Sequence, residues 1–139
     1  MTARCRGDDG SFAVEVSALT LITVTVLFCL GLFAWRISAA SGAVNRAAQH
    51  GARAATLRES PTDAQADALA SVRDNLAGVV CNDGAKVRVD TSPLGPGGTV
   101  TVTVTCRVNN RELAGIAVPG NQEFVATSTQ IVDRWRSAP

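Results

Sequence analysis

The side chains of this chain that could do chemistry are one histidine, four cysteines and a glutamate at the start of an apolar segment. His50 lies in an alanine-rich helical pattern, and no serine, histidine and acid form a recognisable nucleophile motif. The glycines within residues 95–98 precede a strand pattern, whereas a phosphate-binding loop leads into a helix. We therefore expect a protein that is not an enzyme and that needs no cofactor or metal. Glu15 and the cysteines remain as the residues whose chemistry could bear on function.

An uncharged run follows Glu15. Residues 16–35 contain no charged side chain, and as a helix these 20 residues would extend about 30 Å, the thickness of the hydrocarbon core of a bilayer. Trp35 and Arg36 end the run with residue types typical of a membrane–water boundary. The pattern predicts a transmembrane segment, and the alternative is a buried helix of a soluble protein.

A cleavable secretory signal is the main rival to a membrane anchor. Arg4 and Arg6 supply a basic start, and the small residues 38–40 would permit cleavage after Ala40. The apolar run is longer than the usual signal core of about 7–15 residues, and the small residues continue into a helical pattern. A lipoprotein signal at Cys29 is not expected, because bulky Phe28 occupies a position that requires a small residue.

The composition limits the class of partner. Hydrophobic residues make up 46% and charged residues 18% of the chain, with a formal net charge of +1. Lysine and arginine are dispersed among acids, whereas a nucleic-acid-binding protein would concentrate them on one face. We expect a folded domain and no nucleic-acid partner.

The cysteines point to one pairing. Cys5 precedes the uncharged run and Cys29 lies within it, so only Cys81 and Cys106 share the C-terminal region. A disulfide between these two would place that region in an oxidising, extracytoplasmic compartment. Two buried free thiols are the alternative, and a zinc site is not expected because His50 is the only further nitrogen ligand. Basic residues lie on both sides of the run, so charge alone does not orient it, although their count favours a cytoplasmic C-terminal side.

Two helices precede the strand patterns. Small and apolar residues recur at steps of three and four from Ile37 to Ala55, which predicts that one helix extends from about Ser11 to Leu57. A second helix is predicted to begin with Thr62 as N-cap and Gln65 at the capping-box position, and to end near Gly78.

Three alternating segments follow, at 86–90, 99–108 and 123–132, and predict an antiparallel sheet. The turn between the first two would bring Cys81 near Cys106. The expected fold class is therefore α+β: a long N-terminal helix, a second helix and a small three-stranded antiparallel sheet. We divide the chain into a leader at 1–10, the helix at 11–58 and a small extracytoplasmic domain at 59–139.

The position of Glu15 resembles the type IV prepilin processing signal. Gly10 is followed by small or apolar residues, with the glutamate at the fifth place after it. This resemblance implies that a prepilin peptidase cuts after Gly10, so that the mature chain begins at Ser11. It further implies that Glu15 is an assembly contact, which neutralises the new amine at Ser11 of a neighbouring subunit.

Further segments are similar to the TadE-like pseudopilins of tight-adherence (Tad) pili, in their actinobacterial form. Residues 6–16, R-G-D-D-G-S-F-A-V-E-V, resemble the start of these proteins, and residues 47–55, A-A-Q-H-G-A-R-A-A, resemble their alanine- and arginine-rich stretch. Residues 118–120 and 132–136 resemble later parts of the family. The acidic pair Asp8-Asp9 departs from the basic residues found beside many prepilin cleavage sites.

The resemblance implies a minor pilin with a pilin-like fold, inserted once in the cytoplasmic membrane with its C-terminal domain extracytoplasmic. The implied partners are other pilin or pseudopilin subunits, the prepilin peptidase, the Tad inner-membrane assembly platform and membrane lipid. Two alternatives remain: an uncleaved single-pass protein whose domain binds an extracytoplasmic ligand, and a small secreted protein released after Ala40.

Overall fold

The computed structural model describes residues 9–114 and 119–135, with the backbone alone for residues 9–13, 92, 113 and 114. The chain forms the α+β fold that the sequence predicts, with a long N-terminal helix, a second helix and a three-stranded antiparallel sheet. The elements in chain order are α1 (Asp9–Thr56), α2 (Pro61–Asn75), β1 (Lys86–Ser92), β2 (Thr99–Asn109), α3 (Asn110–Ala114) and β3 (Asn121–Ile131).

The chain divides into two compact units, and the boundary lies between Trp35 and Arg36. In the first unit the large apolar side chains from Val14 onward are exposed, including Phe28 at 66% and Trp35 at 67%. This part of α1 is long and apolar enough to cross a membrane, and none of its most apolar stretch is buried against the rest of the chain. It is therefore not a core helix of the chain's own domain.

Threonine hydroxyls within this segment are satisfied by the helix itself. Each donates a hydrogen bond of 2.7–2.8 Å to the carbonyl oxygen four residues earlier, and the threonines concerned are Thr20, Thr23 and Thr25. Because polar groups without partners are costly in hydrocarbon, these bonds make the segment compatible with a bilayer.

In the second unit α1 buries the stripe of small residues that its sequence predicts. Ala40, Val44, Ala47, Gly51 and Ala55 are all buried. The arginines of this region, at positions 36, 46 and 53, are exposed. One half of the helix thus presents apolar side chains all round, and the other half buries a single face.

The N-cap of the second helix lies two residues earlier than predicted. Its N-cap is Ser60, in an extended conformation with φ −92° and ψ 134°, and Pro61 is the first helical residue. The predicted N-cap at Thr62 and capping box at Gln65 are therefore wrong. Proline disfavours a helical conformation in the residue before it and suits the first helical position, so Pro61 sets the start of α2. The Ser60 and Thr62 hydroxyls hydrogen-bond to each other at 2.6 Å.

The sheet has the order β1-β2-β3. Alternation on β2 buries Val100, Val102, Val104, Cys106 and Val108 on one face. The register pairs Cys106 with Phe124 and Val104 with Ala126, which are buried on the same face of β3. The opposite face carries the threonines, and two cross-strand hydroxyl pairs join β2 to β3 at 3.0 and 3.1 Å.

The short helix α3 lies between β2 and β3, in a stretch for which the sequence pattern predicts no helix or strand. The side chain of Asn109 accepts a hydrogen bond of 3.0 Å from the backbone N–H of Arg111 and so caps this helix. Glu112 stands in its first turn. An asparagine followed three residues later by a glutamate is a helix-start pattern, and the sequence N-N-R-E carries it.

Candidate functional site

The predicted processing site lies at the start of α1. This helix begins at Asp9, so the bond between Gly10 and Ser11 falls in its first turn. The first four N–H groups of a helix have no helical acceptor, and this turn therefore opens with the smallest loss of hydrogen bonding. Residues 1–8, with most of the predicted leader and Cys5, lie outside the described residues.

Glu15 is exposed and lies four residues after Ser11 in the same helix. Residues four apart share a helix face, so a carboxylate at 15 and an amine at 11 lie about one turn, or 6 Å along the axis, from each other. Among the described residues Glu15 forms no ion pair. The acid is thus presented on the helix surface, on the same face as the predicted new terminus.

The geometry leaves two possible partners for an amine at Ser11. The Glu15 carboxylate of the same chain is one turn away, and that of an adjacent parallel helix would reach the amine only at one axial register. The helix N-terminus carries a partial positive charge, which disfavours an ammonium and favours a nearby carboxylate. A carboxylate near this end therefore stabilises the helix start whichever chain supplies it.

The predicted disulfide is present. Cys81 and Cys106 are joined, with a Cα–Cα distance of 5.3 Å and a sequence separation of 25. Cys106 is fully buried in the valine face of β2, and Cys81 belongs to the connection between α2 and β1. The bond fixes this connection to the sheet, and the N–H of Asn82 adds a 2.7 Å hydrogen bond to the carbonyl of Arg107. Cys29 is a free, exposed thiol in the apolar part of α1.

The remaining candidates do not form a site. His50 is exposed on α1. In the described part of the chain, no three histidine, cysteine, aspartate or glutamate side chains come together as metal ligands would. Of the later segments that carry the family resemblance, Val118 and Arg136 lie outside the described residues.

An ion pair marks one end of the threonine face. The Arg107 guanidinium donates a 2.6 Å hydrogen bond to Glu123, on the neighbouring strand. This hydrogen bond and the negative charge of Glu123 raise the pKa of Arg107 above its ordinary value. Both side chains are about half exposed, so the pair contributes little to stability and belongs to the outer surface of the sheet.

Comparison with known proteins finds no match for this chain. No family model matches the chain, no curated protein matches it, and no solved structure matches it.

Proposed function

We propose that this chain is a TadE-like minor pilin (pseudopilin), a structural and assembly subunit of a Tad-type pilus that is inserted in the membrane and processed after Gly10. The observation that carries the proposal is the placement of Glu15. It stands at the fifth place after a glycine, exposed on a helix whose next 20 residues are uncharged and, except for half-buried Phe33, also exposed. In an assembling subunit this acid can pair with the new amine of a neighbour, a role that a lone anchor does not require.

The physical role of the acid follows from the cut. Processing creates an ammonium at Ser11, and a carboxylate about 4 Å away would attract it by roughly 4 kcal/mol at an effective dielectric near 20. Desolvation of the two charges offsets much of this attraction. The main effect of the pair is then to set the axial register between packed helices, because an unpaired charge in the apolar layer between them is more costly than a paired one.

Processing is tested by the mass of the N-terminal peptide of the membrane-extracted protein. We expect a chain that begins at Ser11. A chain that begins at Met1 would support an uncleaved anchor, and one that begins at Ser41 would identify residues 1–40 as a secretory signal. Either of these results contradicts the proposal.

The assembly role is tested by Glu15→Ala. We expect the variant to remain in the membrane fraction, because removing a charge makes insertion easier, but to be depleted severalfold from sheared surface filaments and from cross-linked subunit pairs. Asp74→Ala is the matched control, since it removes one exposed acid from α2 in the second unit. Normal assembly of the Glu15 variant would refute the neutralising role.

A second candidate function is an uncleaved single-pass protein whose domain binds a ligand. One observation favours it: the second unit has a cavity of about 440 Å³ on its surface, within the range of small-molecule sites. The two candidates differ at the N-terminus, and a chain that keeps Met1 and is absent from sheared surface filaments would favour this second one.

A further inference from the structure

The cavity in the second unit lies between α1 and the chain that follows α2. Its floor is formed by alanines of α1 at positions 39, 40 and 43. Val79, Val80 and Val108 stand opposite, and Asn75 and Glu112 complete the rim. The cavity is therefore an apolar trough with polar groups at its edges.

Two arginines bracket the alanine floor. Arg36 and Arg46 line the cavity from the same face of α1, because positions 36, 39, 43 and 46 follow each other at steps of three and four. Their Cα atoms are ten residues apart, or about 15 Å along the helix axis. The Arg46 side chain folds back over the preceding turn, since its Nη1 lies 3.3 Å from where a Cβ on Gly42 would be. Its guanidinium therefore lies about one turn nearer to Arg36 than its own Cα does.

The two arginines have N–H donors available to bind an anion. Arg36 donates one hydrogen bond of 3.2 Å, from Nη1 to the carbonyl oxygen of Glu112, although a guanidinium has five N–H donors. Among the described residues, neither Arg36 nor Arg46 forms an ion pair. Two arginines stand against the single acid Glu112 in the lining, so the cavity carries an excess positive charge.

The chain position of Arg36 selects the kind of anion. Arg36 directly follows Trp35, the last residue of the uncharged run. In a chain whose run spans a bilayer, this residue stands at the depth of the lipid head groups. A phosphate is the anion present there, and the head group beyond it extends away from the hydrocarbon, in the direction in which α1 runs from Arg36 to Arg46.

We propose that this cavity binds the head group of an anionic phospholipid, with its phosphate at Arg36 and the head-group glycerol over the alanine floor, where Arg46 adds a second positive charge. The site would hold Arg36 at the depth of the lipid head groups. This proposal requires that α1 span a membrane, and it does not depend on processing after Gly10 or on pilus assembly.

The test uses the full chain in lipid nanodiscs, after resistance to carbonate extraction has shown that it is inserted. Photoreactive phosphatidylglycerol and photoreactive phosphatidylcholine are compared at equal content, and the cross-linked peptides are identified by mass. We expect phosphatidylglycerol to label the peptides that line the cavity severalfold more than phosphatidylcholine does.

Two variants and a control distinguish the cavity from general attraction. In Arg36→Gln/Arg46→Gln the preference should fall about fivefold for each arginine. Arg53→Gln/Arg73→Gln removes two exposed arginines outside the cavity and should keep the preference. Ala39→Trp fills the exposed side of the floor without changing charge and should also abolish the labelling.

Three results would overturn the proposal: no preference in the unmodified protein, equal loss in both arginine pairs, or displacement of the lipid by millimolar glycerol phosphate, which would identify a soluble phosphate ligand instead. Because insertion is established first and the N-terminus is read separately, failure here leaves the proposed pilin function standing. A chain that starts at Met1 but shows the expected labelling would leave the lipid site standing.

Discussion

At the scale of single residues, Gly51 decides how closely the two helices of the second unit approach. A Cβ at this position would lie 2.7 Å from Cγ2 of Val72 on α2 and 3.3 Å from the carbonyl oxygen of Ala68. It would also lie 3.5 Å from Val102 on β2. The glycine therefore stands where α1 meets both α2 and the sheet, and the helix backbones touch there because no side chain separates them.

We predict that Gly51→Ala destabilises the second unit by about 1–3 kcal/mol, the usual cost of one extra carbon in a packed core. Val72 is fully buried and β-branched, so it cannot turn away without displacing other core side chains. Thermal unfolding of the detergent-solubilised protein, followed by circular dichroism, measures the change. Gly78→Ala is the control, because a Cβ there meets no atom within 4 Å, and it should unfold within a degree or two of the unmodified protein.

At the scale of elements, α1 is one continuous helix with two kinds of surface. From Val14 to Trp35 its apolar side chains are exposed, and from Arg36 it buries one face of small residues within the second unit. Backbone hydrogen bonding is the same in both parts, so the difference comes entirely from the side chains. So much exposed apolar surface is stable only when it is removed from water, as a bilayer or packed helices would do.

We predict that Leu27→Arg prevents stable membrane insertion of α1. An arginine near the centre of a spanning helix costs about 2.5–3.5 kcal/mol on insertion scales. Leu57→Arg is the matched control, since Leu57 is comparably exposed but lies past the end of the helix in the second unit. Carbonate-resistant membrane pellets should retain the Leu57 variant and lose most of the Leu27 variant. Equal retention of both would mean that residues 16–35 do not span the membrane.

At the scale of the whole molecule, the core of the second unit consists mainly of alanine and valine side chains. Among the described residues, the largest fully buried side chains are six valines and Cys106. Valine and alanine bury little area per residue, so a covalent bond through the sheet has a large effect on stability. The Cys81–Cys106 disulfide supplies that bond and joins the connection after α2 to the central strand.

We predict that Cys81→Ser/Cys106→Ala lowers the free energy of unfolding by about 3.5 kcal/mol, the loop-entropy expectation for 25 residues. Denaturant unfolding with and without reductant measures this, and reduction should affect the unmodified protein but not the variant. Cys29→Ser should change neither, because Cys29 is a free thiol outside the second unit. A reductant-insensitive unmodified protein would show that the bond is not formed in solution.

The sequence by itself determined the features that depend on pattern and period. The uncharged run of residues 16–35, the small-residue stripe of α1, the alternation of the strands and the pairing of Cys81 with Cys106 could all be predicted, because helix and strand periods place side chains on faces without further information. The fifth-place glutamate is also a property of sequence, and its role in assembly stays a prediction. The N-cap at Ser60 and the helix at Asn110–Ala114 were missed although Pro61 and N-N-R-E signalled them.

Only the tertiary structure decided which residues of different helices and strands contact one another. It buried Ala64, Ala68 and Val72 on one face of α2, the face that Gly51 allows to approach α1. It also brought Arg36 and Arg46 to one cavity with Val108 and Glu112, more than sixty positions away in the sequence. Sequence spacing fixes contacts within one helix or strand, whereas contacts between elements depend on packing, which no local pattern contains.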